Sequence, residues 1–269
     1  MARFEPHPTR RPVLVTGASA GIGAATARAF AAIGHPVAIA ARRLDRLDEL
    51  AAAIRSDGGE AVGVAMDVGD LDSIDAGVRA AEAAIGEIDI VVSNAGDNEP
   101  STVHSDDAAR FARHYDVNVF GPQRLTSVIG SAMIERGRGD IVYVSSMNAS
   151  VPRVMSAAYN SSKAALEAYA RTAQMEFEGT GVRASIVRPG PTLTEMGWGW
   201  DQQLLDHTMR EWQRWGVLRH GGFIDADDMA AAIVHVATAP RGMLWSLVEL
   251  NPEAPLPRRS DTSDQSETN

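Results

Sequence analysis

Seven short apolar runs, separated by Ala-rich stretches, constrain this chain more than any other feature of it. They read VLVTG (13–17), VAIAA (37–41), AVGVAMD (61–67), IDIVVSN (88–94), DIVYVSS (140–146), RASIVRPG (183–190) and WSLVEL (245–250). The runs are continuous rather than alternating. Strands of that kind have no face to give to water, so they belong in a parallel sheet covered on both sides. The segments between them are long enough for the crossover helices that parallel strands require. The order predicts an α/β fold, a doubly wound parallel sheet of about seven strands with helices on both faces.

No internal repeat or linker interrupts this order. A single domain is expected over 11–257, with a flexible arm at 1–10 and a disordered polar tail at 258–269. A formal charge of −10 argues against a nucleic-acid or anionic-membrane surface. The chain has no cysteine, which removes disulfides and thiolate chemistry. Its seven histidines are scattered without ligand spacing, so no metal is expected. Asp225, Asp227 and Asp228 precede a helical pattern and read as its cap and charged first turn. The N-terminus has no apolar run before the first strand, and no stretch reaches the roughly eighteen residues of a spanning helix. A cytoplasmic protein without membrane insertion is the expectation.

TGASAGIG (16–23) follows the first strand and opens an Ala-rich helix. Gly17, Gly21 and Gly23 permit a tight turn and a close backbone approach, and the helix N-terminus offers free N–H groups to a pyrophosphate. A glycine-rich turn without a ligand is the alternative. The second strand ends at Ala41 with Arg42 and Arg43 after it, where an acidic residue would bind the ribose diol of NAD. Two arginines suit a 2′-phosphate instead, which favours NADP(H) over NAD(H); a surface-packed Arg pair is the alternative.

Lys163 is the only lysine in a chain whose other basic residues are all arginines, and it lies four residues after Tyr159. On a helix the two project from one face. A free phenol, with a pKa of about 10, exchanges protons poorly at neutrality, and a nearby ammonium favours the phenolate. An ammonium on a flexible stem can also reach a cofactor ribose, which the planar fork of arginine does less well. Chance in an Arg-favouring composition is the competing explanation.

Taken together, TGASAGIG (16–23), MDV (66–68), SNAG (93–96), DVNVFG (116–121), VSS (144–146), YNSSK (159–163) and RPGPTLT (188–194) resemble the short-chain dehydrogenase/reductase family, single-domain branch, over residues 12 to about 250. The resemblance implies a Rossmann-type fold and a catalytic set of Asn118, Ser146, Tyr159 and Lys163. Ser146 would hydrogen-bond the substrate oxygen and Tyr159 would exchange a proton with it. Lys163 would lower the Tyr159 pKa and hold the nicotinamide ribose, and Asn118 would seat a water for proton refill. It further implies cofactor contacts from Gly17, Ser19, Ala20, Gly21, Ile22 and Gly23, with Asp67 and Val68 beside the adenine. Asn94, Ala95 and Gly96 would run along the cofactor, and Pro189, Gly190, Thr192 and Thr194 would flank the nicotinamide. Ser93 and Thr192 depart from the family's commoner residues at those positions.

Four of the five tryptophans fall between 198 and 215. The resemblance makes 193–222 a lid, with Met196, Trp198 and Trp200 toward the pocket; Leu205, Thr208, Met209 and Trp212 recur at helical spacing, and Trp215 follows. Trp212 and Trp215 either line the pocket or pack on the domain or a partner. Asn148, Pro152, Arg153 and Met155 are further wall candidates, with Asp97 and Asn98 possible polar contacts. Such a lid suits a fairly large apolar alcohol or ketone. The expected activity is NADP-dependent carbonyl reduction or alcohol oxidation by a homodimer or homotetramer. The alternatives are a non-catalytic NADP(H)-sensing protein on the same fold, an NAD-dependent dehydrogenase, and a related isomerase or dehydratase.

Overall fold

The computed structural model describes residues 5–196, 199–218 and 220–254, so the polar tail and Trp198 lie outside the described residues. All seven apolar runs are strands: β1 (Val13–Thr16), β2 (Val37–Ala41), β3 (Ala61–Ala65), β4 (Ile90–Ser93), β5 (Gly139–Val144), β6 (Val182–Pro189) and β7 (Leu247–Leu250). They form one parallel sheet in the order β3-β2-β1-β4-β5-β6-β7. The helices between them are α1 (Gly21–Ala32), α2 (Leu44–Ser56), α3 (Leu71–Ile85), α4 (Ala108–Tyr115), α5 (Gly121–Glu135), α6 (Ala157–Glu176), α7 (Gln202–Arg214) and α8 (Ala226–Ala237).

Side-chain alternation along each strand explains why the runs are apolar throughout. Val13 and Val15 of β1 enter a core with α1, α2 and α8, while Leu14 enters one with α3, α5 and α6. Neither face of the central strands meets water. Asp225 sits at the cap position of α8, but its side chain makes no capping bond. Only the charges of Asp227 and Asp228 favour that first turn. No described helix is long and apolar enough to cross a membrane.

The lower end of the sheet is tied by buried charge. Arg11, only 1 % exposed, bonds Asp89 at 3.0 Å, Asp140, and the Ala237 carbonyl at 3.1 Å. Arg183 adds a second cation to Asp140 at 2.6 Å. At the opposite end the connections leaving β1 and β4 part, because the chain runs from β1 to β2 and β3 on one side and from β4 to β5 on the other. That crevice is where open α/β sheets take ligands.

Candidate active site

At the mouth of the crevice the turn after β1 is held from β4. Thr16 Oγ1 accepts from the backbone N–H of Asn94 and of Ala95, each at 3.1 Å. Asn94 Nδ2 donates to the Thr16 carbonyl at 2.9 Å, so its amide nitrogen fastens the turn. Gly17 has φ +65°, and a Cβ there would lie 2.8 Å from Ala95 Cα. At Gly23 a Cβ would lie 2.5 Å from the Gly17 carbonyl oxygen. Glycine is therefore required at both, and the turn presents α1 end-on to the crevice. Its cap residue Ala20 makes no side-chain capping bond and its first turn holds no acid, which suits an anion.

Arg43 reaches this turn, with Nη2 donating to Ser19 Oγ at 2.8 Å. Arg42 is exposed and approaches Asp67 at 4.0 Å. Glu195 pairs with both Arg43, at 3.4 Å, and Arg46, at 2.6 Å. Ser19, Ala20, Gly21, Arg46 and Glu195 line a cleft of about 430 Å³. Thr194 covers the turn: a Cβ on Gly21 would lie 3.1 Å from its methyl group. These residues fit a dinucleotide bearing an extra phosphate, with an uncapped helix end, a glycine cradle and an arginine at the ribose end. Val68 is buried, and Asp67 Oδ1 accepts from the Gly69 N–H at 3.0 Å. Gly190 is packed on β7, where a Cβ would lie 2.8 Å from the Leu250 carbonyl oxygen, so its small size serves the sheet. Thr192 Oγ1 donates to the Gly190 carbonyl at 3.0 Å, and Pro189 is buried beside it.

Deeper in, α4 and α5 are one helix interrupted by a π-turn at Asp116–Phe120. Asn118 sits in that turn, fully buried. Its Oδ1 accepts from the Asp97 N–H at 2.9 Å, and its Nδ2 donates to the Asp97 carbonyl at 2.9 Å and to Ser162 Oγ at 3.0 Å. π-Turns concentrate at functional sites because they turn a side chain out of helical phase. Lys163 Nζ donates to the Val144 carbonyl at 2.9 Å and lies 5.8 Å from the centre of the Tyr159 ring. Gly96 keeps the backbone close: a Cβ there would touch Asn118 Oδ1 at 3.4 Å and Lys163 Nζ at 3.5 Å.

Tyr159 and Ser146 are both buried, and Ser146 Oγ accepts from the Asn148 N–H at 3.2 Å. Burial raises the Tyr159 pKa, while the Ser146 hydroxyl and the charge of Arg153 pull it down. Burial also depresses the Lys163 ammonium to about 8, opposed by the negative charge of Glu167. Desolvation is thus the largest influence on both groups.

The substrate side is walled by the loop before α6 and by α7. Trp200 Nε1 donates to the Asn98 carbonyl at 3.0 Å, and Trp212 Nε1 to the Val154 carbonyl at 2.9 Å. Thr208 is buried against Met155. Met155 adopts φ +61°, a left-handed conformation that a side chain of its size rarely takes. Met196 is 48 % exposed, and Trp215 is 63 % exposed. Asn148 is committed to Asn160, with Nδ2 donating to its Oδ1 at 2.9 Å. Pro152 is exposed. Asp97 is paired with Arg113 at 2.8 Å.

Four further residues hold the site together. Ser162 joins Asn118 to α6, and Asn160 holds the loop through Arg153 and Asn148. Glu167 bonds Ser145 at 2.8 Å and Arg188 at 2.6 Å, tying α6 to β5 and β6. Glu195 spans from the α7 side to α2. Asn160 and Ser162 lie inside YNSSK, whereas Glu167 and Glu195 lie outside every motif.

Residues 11–205 match the model of the short chain dehydrogenase family. A short chain dehydrogenase of Pseudocercospora fijiensis is 37% identical over 197 residues, covering 72% of this chain and 64% of that protein, so the match leaves more than a third of that relative's length unspanned. The 2,3-dihydro-2,3-dihydroxybenzoate dehydrogenase of Bacillus subtilis is 34% identical over 68% of this chain and 70% of its own. Among solved structures, an alcohol dehydrogenase of Thermococcus sibiricus complexed with 5-hydroxy-NADP superposes with a TM-score of 0.78 at 25% identity, covering 93% of this chain and 99% of its own. With the glycine turn, the π-turn asparagine and the Ser–Tyr–Lys cluster in one crevice, the chain belongs to the short chain dehydrogenase family.

Proposed function

We propose that this protein is an NADP(H)-dependent oxidoreductase that interconverts a secondary alcohol and a ketone on a fairly large, mainly apolar substrate. The observation that carries this reading is the burial of Ser146 and Tyr159 in one crevice, with the Lys163 ammonium 5.8 Å from the centre of the Tyr159 ring. The bound cofactor would supply or accept hydride at its nicotinamide. Ser146 would donate to the substrate oxygen and hold it beside Tyr159. In reduction the Tyr159 phenol gives its proton to that oxygen, and in oxidation the phenolate takes it back. Because burial raises the phenol, cations are needed to make the phenolate accessible, and Lys163, 5.8 Å from the ring centre, is the one assigned to that task. Its bond to Val144 uses one of three donors, leaving others for a ribose hydroxyl. Asn118 would hold the π-turn where a proton-relaying water reaches Lys163.

Preference for NADP(H) is supported by the Arg43–Ser19 pair, by the absence of an acidic residue at 42 and 43, and by the 5-hydroxy-NADP held by the archaeal relative. Assembly as a homodimer or homotetramer through α5 and α6 is supported by the exposure of Ile134 and Met175.

The test is Tyr159→Phe, assayed with NADPH and a panel of ketones of increasing size. Turnover should fall by about a thousandfold. NADPH binding, followed by nicotinamide fluorescence, should stay near the wild-type level. A variant that kept its turnover would exclude Tyr159 as the proton donor.

A further inference from the structure

Arg153 is 8 % exposed, yet among the described residues no carboxylate lies within ion-pair distance of it. The other buried or nearly buried arginines contrast with it. Arg11 holds Asp89 and Asp140, and Arg188 holds Glu167 and Glu249. The Arg153 guanidinium instead has the Met147 sulfur 3.1 Å from Nη2 and the Trp212 ring centre 4.8 Å from its central carbon. Its Nε is buried with no hydrogen-bond partner. In a chain with ten more acidic than basic residues, Arg153, like Lys163, is thus a buried cation with no carboxylate beside it among the described residues. Such a group is costly to keep unless something binds it.

Its place is the candidate active site. The Arg153 carbonyl accepts from Asn160 Nδ2 at 2.8 Å, and Asn160 directly follows Tyr159. The guanidinium is near enough to the phenol for each to shift the other's ionisation. Trp212 lies on α7, so the same indole that stacks on Arg153 belongs to the wall that covers the pocket.

We propose that Arg153 is the binding group for a substrate carboxylate, so that the preferred substrates are hydroxy acids and keto acids with an apolar body. The assignment rests on the alcohol–ketone reading of the same site and narrows its substrate class. A planar guanidinium matches the two oxygens of a carboxylate. With Trp212 and Met147 as its neighbours the fork offers one positive charge and few further donors, which suits a carboxylate better than a dianionic phosphate. The apolar wall expected from the tryptophans then accommodates the body of the molecule, and Arg153 its charged end.

The experiment compares aliphatic and aromatic keto acids of increasing length with their methyl esters, using NADPH. Wild type should favour the best acid over its ester by about tenfold in kcat/KM, carried by KM. Arg153→Gln should abolish the preference, lowering kcat/KM for the acid about tenfold more than for the ester, and Arg153→Lys should keep part of it. Equal use of acid and ester by wild type overturns the proposal. So does an Arg153→Gln variant that loses both alike, because a guanidinium serving only to clamp Trp212 would behave that way. Quenching of tryptophan fluorescence by the same compounds separates the two readings. If nothing is turned over but the acids bind and the esters do not, the redox assignment fails and the carboxylate site stands. If no acid binds in preference to its ester, the carboxylate site is wrong.

Discussion

Lys163 donates to the Val144 carbonyl at 2.9 Å, and among the described residues no carboxylate lies within ion-pair distance of its ammonium. The bond stitches α6 to the end of β5, but the charge is held at the expense of stability. Burial takes its pKa from 10.5 down to about 8. Between those values the unfolded chain binds more protons than the folded one, so stability rises with pH across that window and is lowest below it. Lys163→Met should therefore be inactive yet melt about 3 °C higher at pH 7. The gain should shrink toward pH 10.5, as scanning calorimetry at several pH values would reveal. A lower melting temperature at pH 7 would mean that the Val144 bond outweighs the desolvation.

Glu195 pairs with Arg43, one of the two arginines expected at the 2′-phosphate, and with Arg46 beside it. A phosphate entering there must displace or repel that carboxylate. Glu195→Gln should tighten NADPH by about threefold and leave NADH nearly unchanged. Parallel fluorescence titrations with the two cofactors measure this, and equal gains for both would separate Glu195 from phosphate selection.

What the residues alone disclose divides along a physical line. Strands and glycine turns were readable because their causes are local: a continuous apolar run, or a glycine where a Cβ would strike Ala95 or Gly17. The Asn118, Ser146, Tyr159 and Lys163 cluster was readable as a resemblance, since each sits in a short motif. The pairing of Arg43 with Glu195 joins residues 152 positions apart and leaves no periodic trace. The left-handed backbone of Met155 was equally hidden, because methionine gives no hint of positive φ. Arg153 looked like an ordinary wall candidate, and only its burial without a carboxylate sets it apart.

His35 Nδ1 accepts from the Arg11 backbone N–H at 3.3 Å beneath the sheet. Burial, then the Arg11 charge, hold its pKa below 6.5. The folded protein keeps it neutral while the unfolded chain takes up a proton as pH falls through about 6.5. Its contribution is thus complete above that pH and is lost below it. Between pH 7.5 and pH 5, wild type should lose about 3 °C more in melting temperature than His35→Gln. Parallel slopes in thermal melts would assign acid sensitivity elsewhere.

The π-turn at Asp116–Phe120 makes the long helix two rotors joined out of phase. Each helical residue advances the chain by about 100°, so removing one residue from the turn would rotate α4 by that angle against α5. Leu125, Ile129 and Met133 anchor α5 in the core, and α4 would have to do the turning. Arg113 would swing off Asp97 and Glu99, and Asn118 would lose its hold on Ser162. The site's geometry therefore depends on a count of residues as well as on their identities: every side chain could be retained and the alignment still lost by a single deletion.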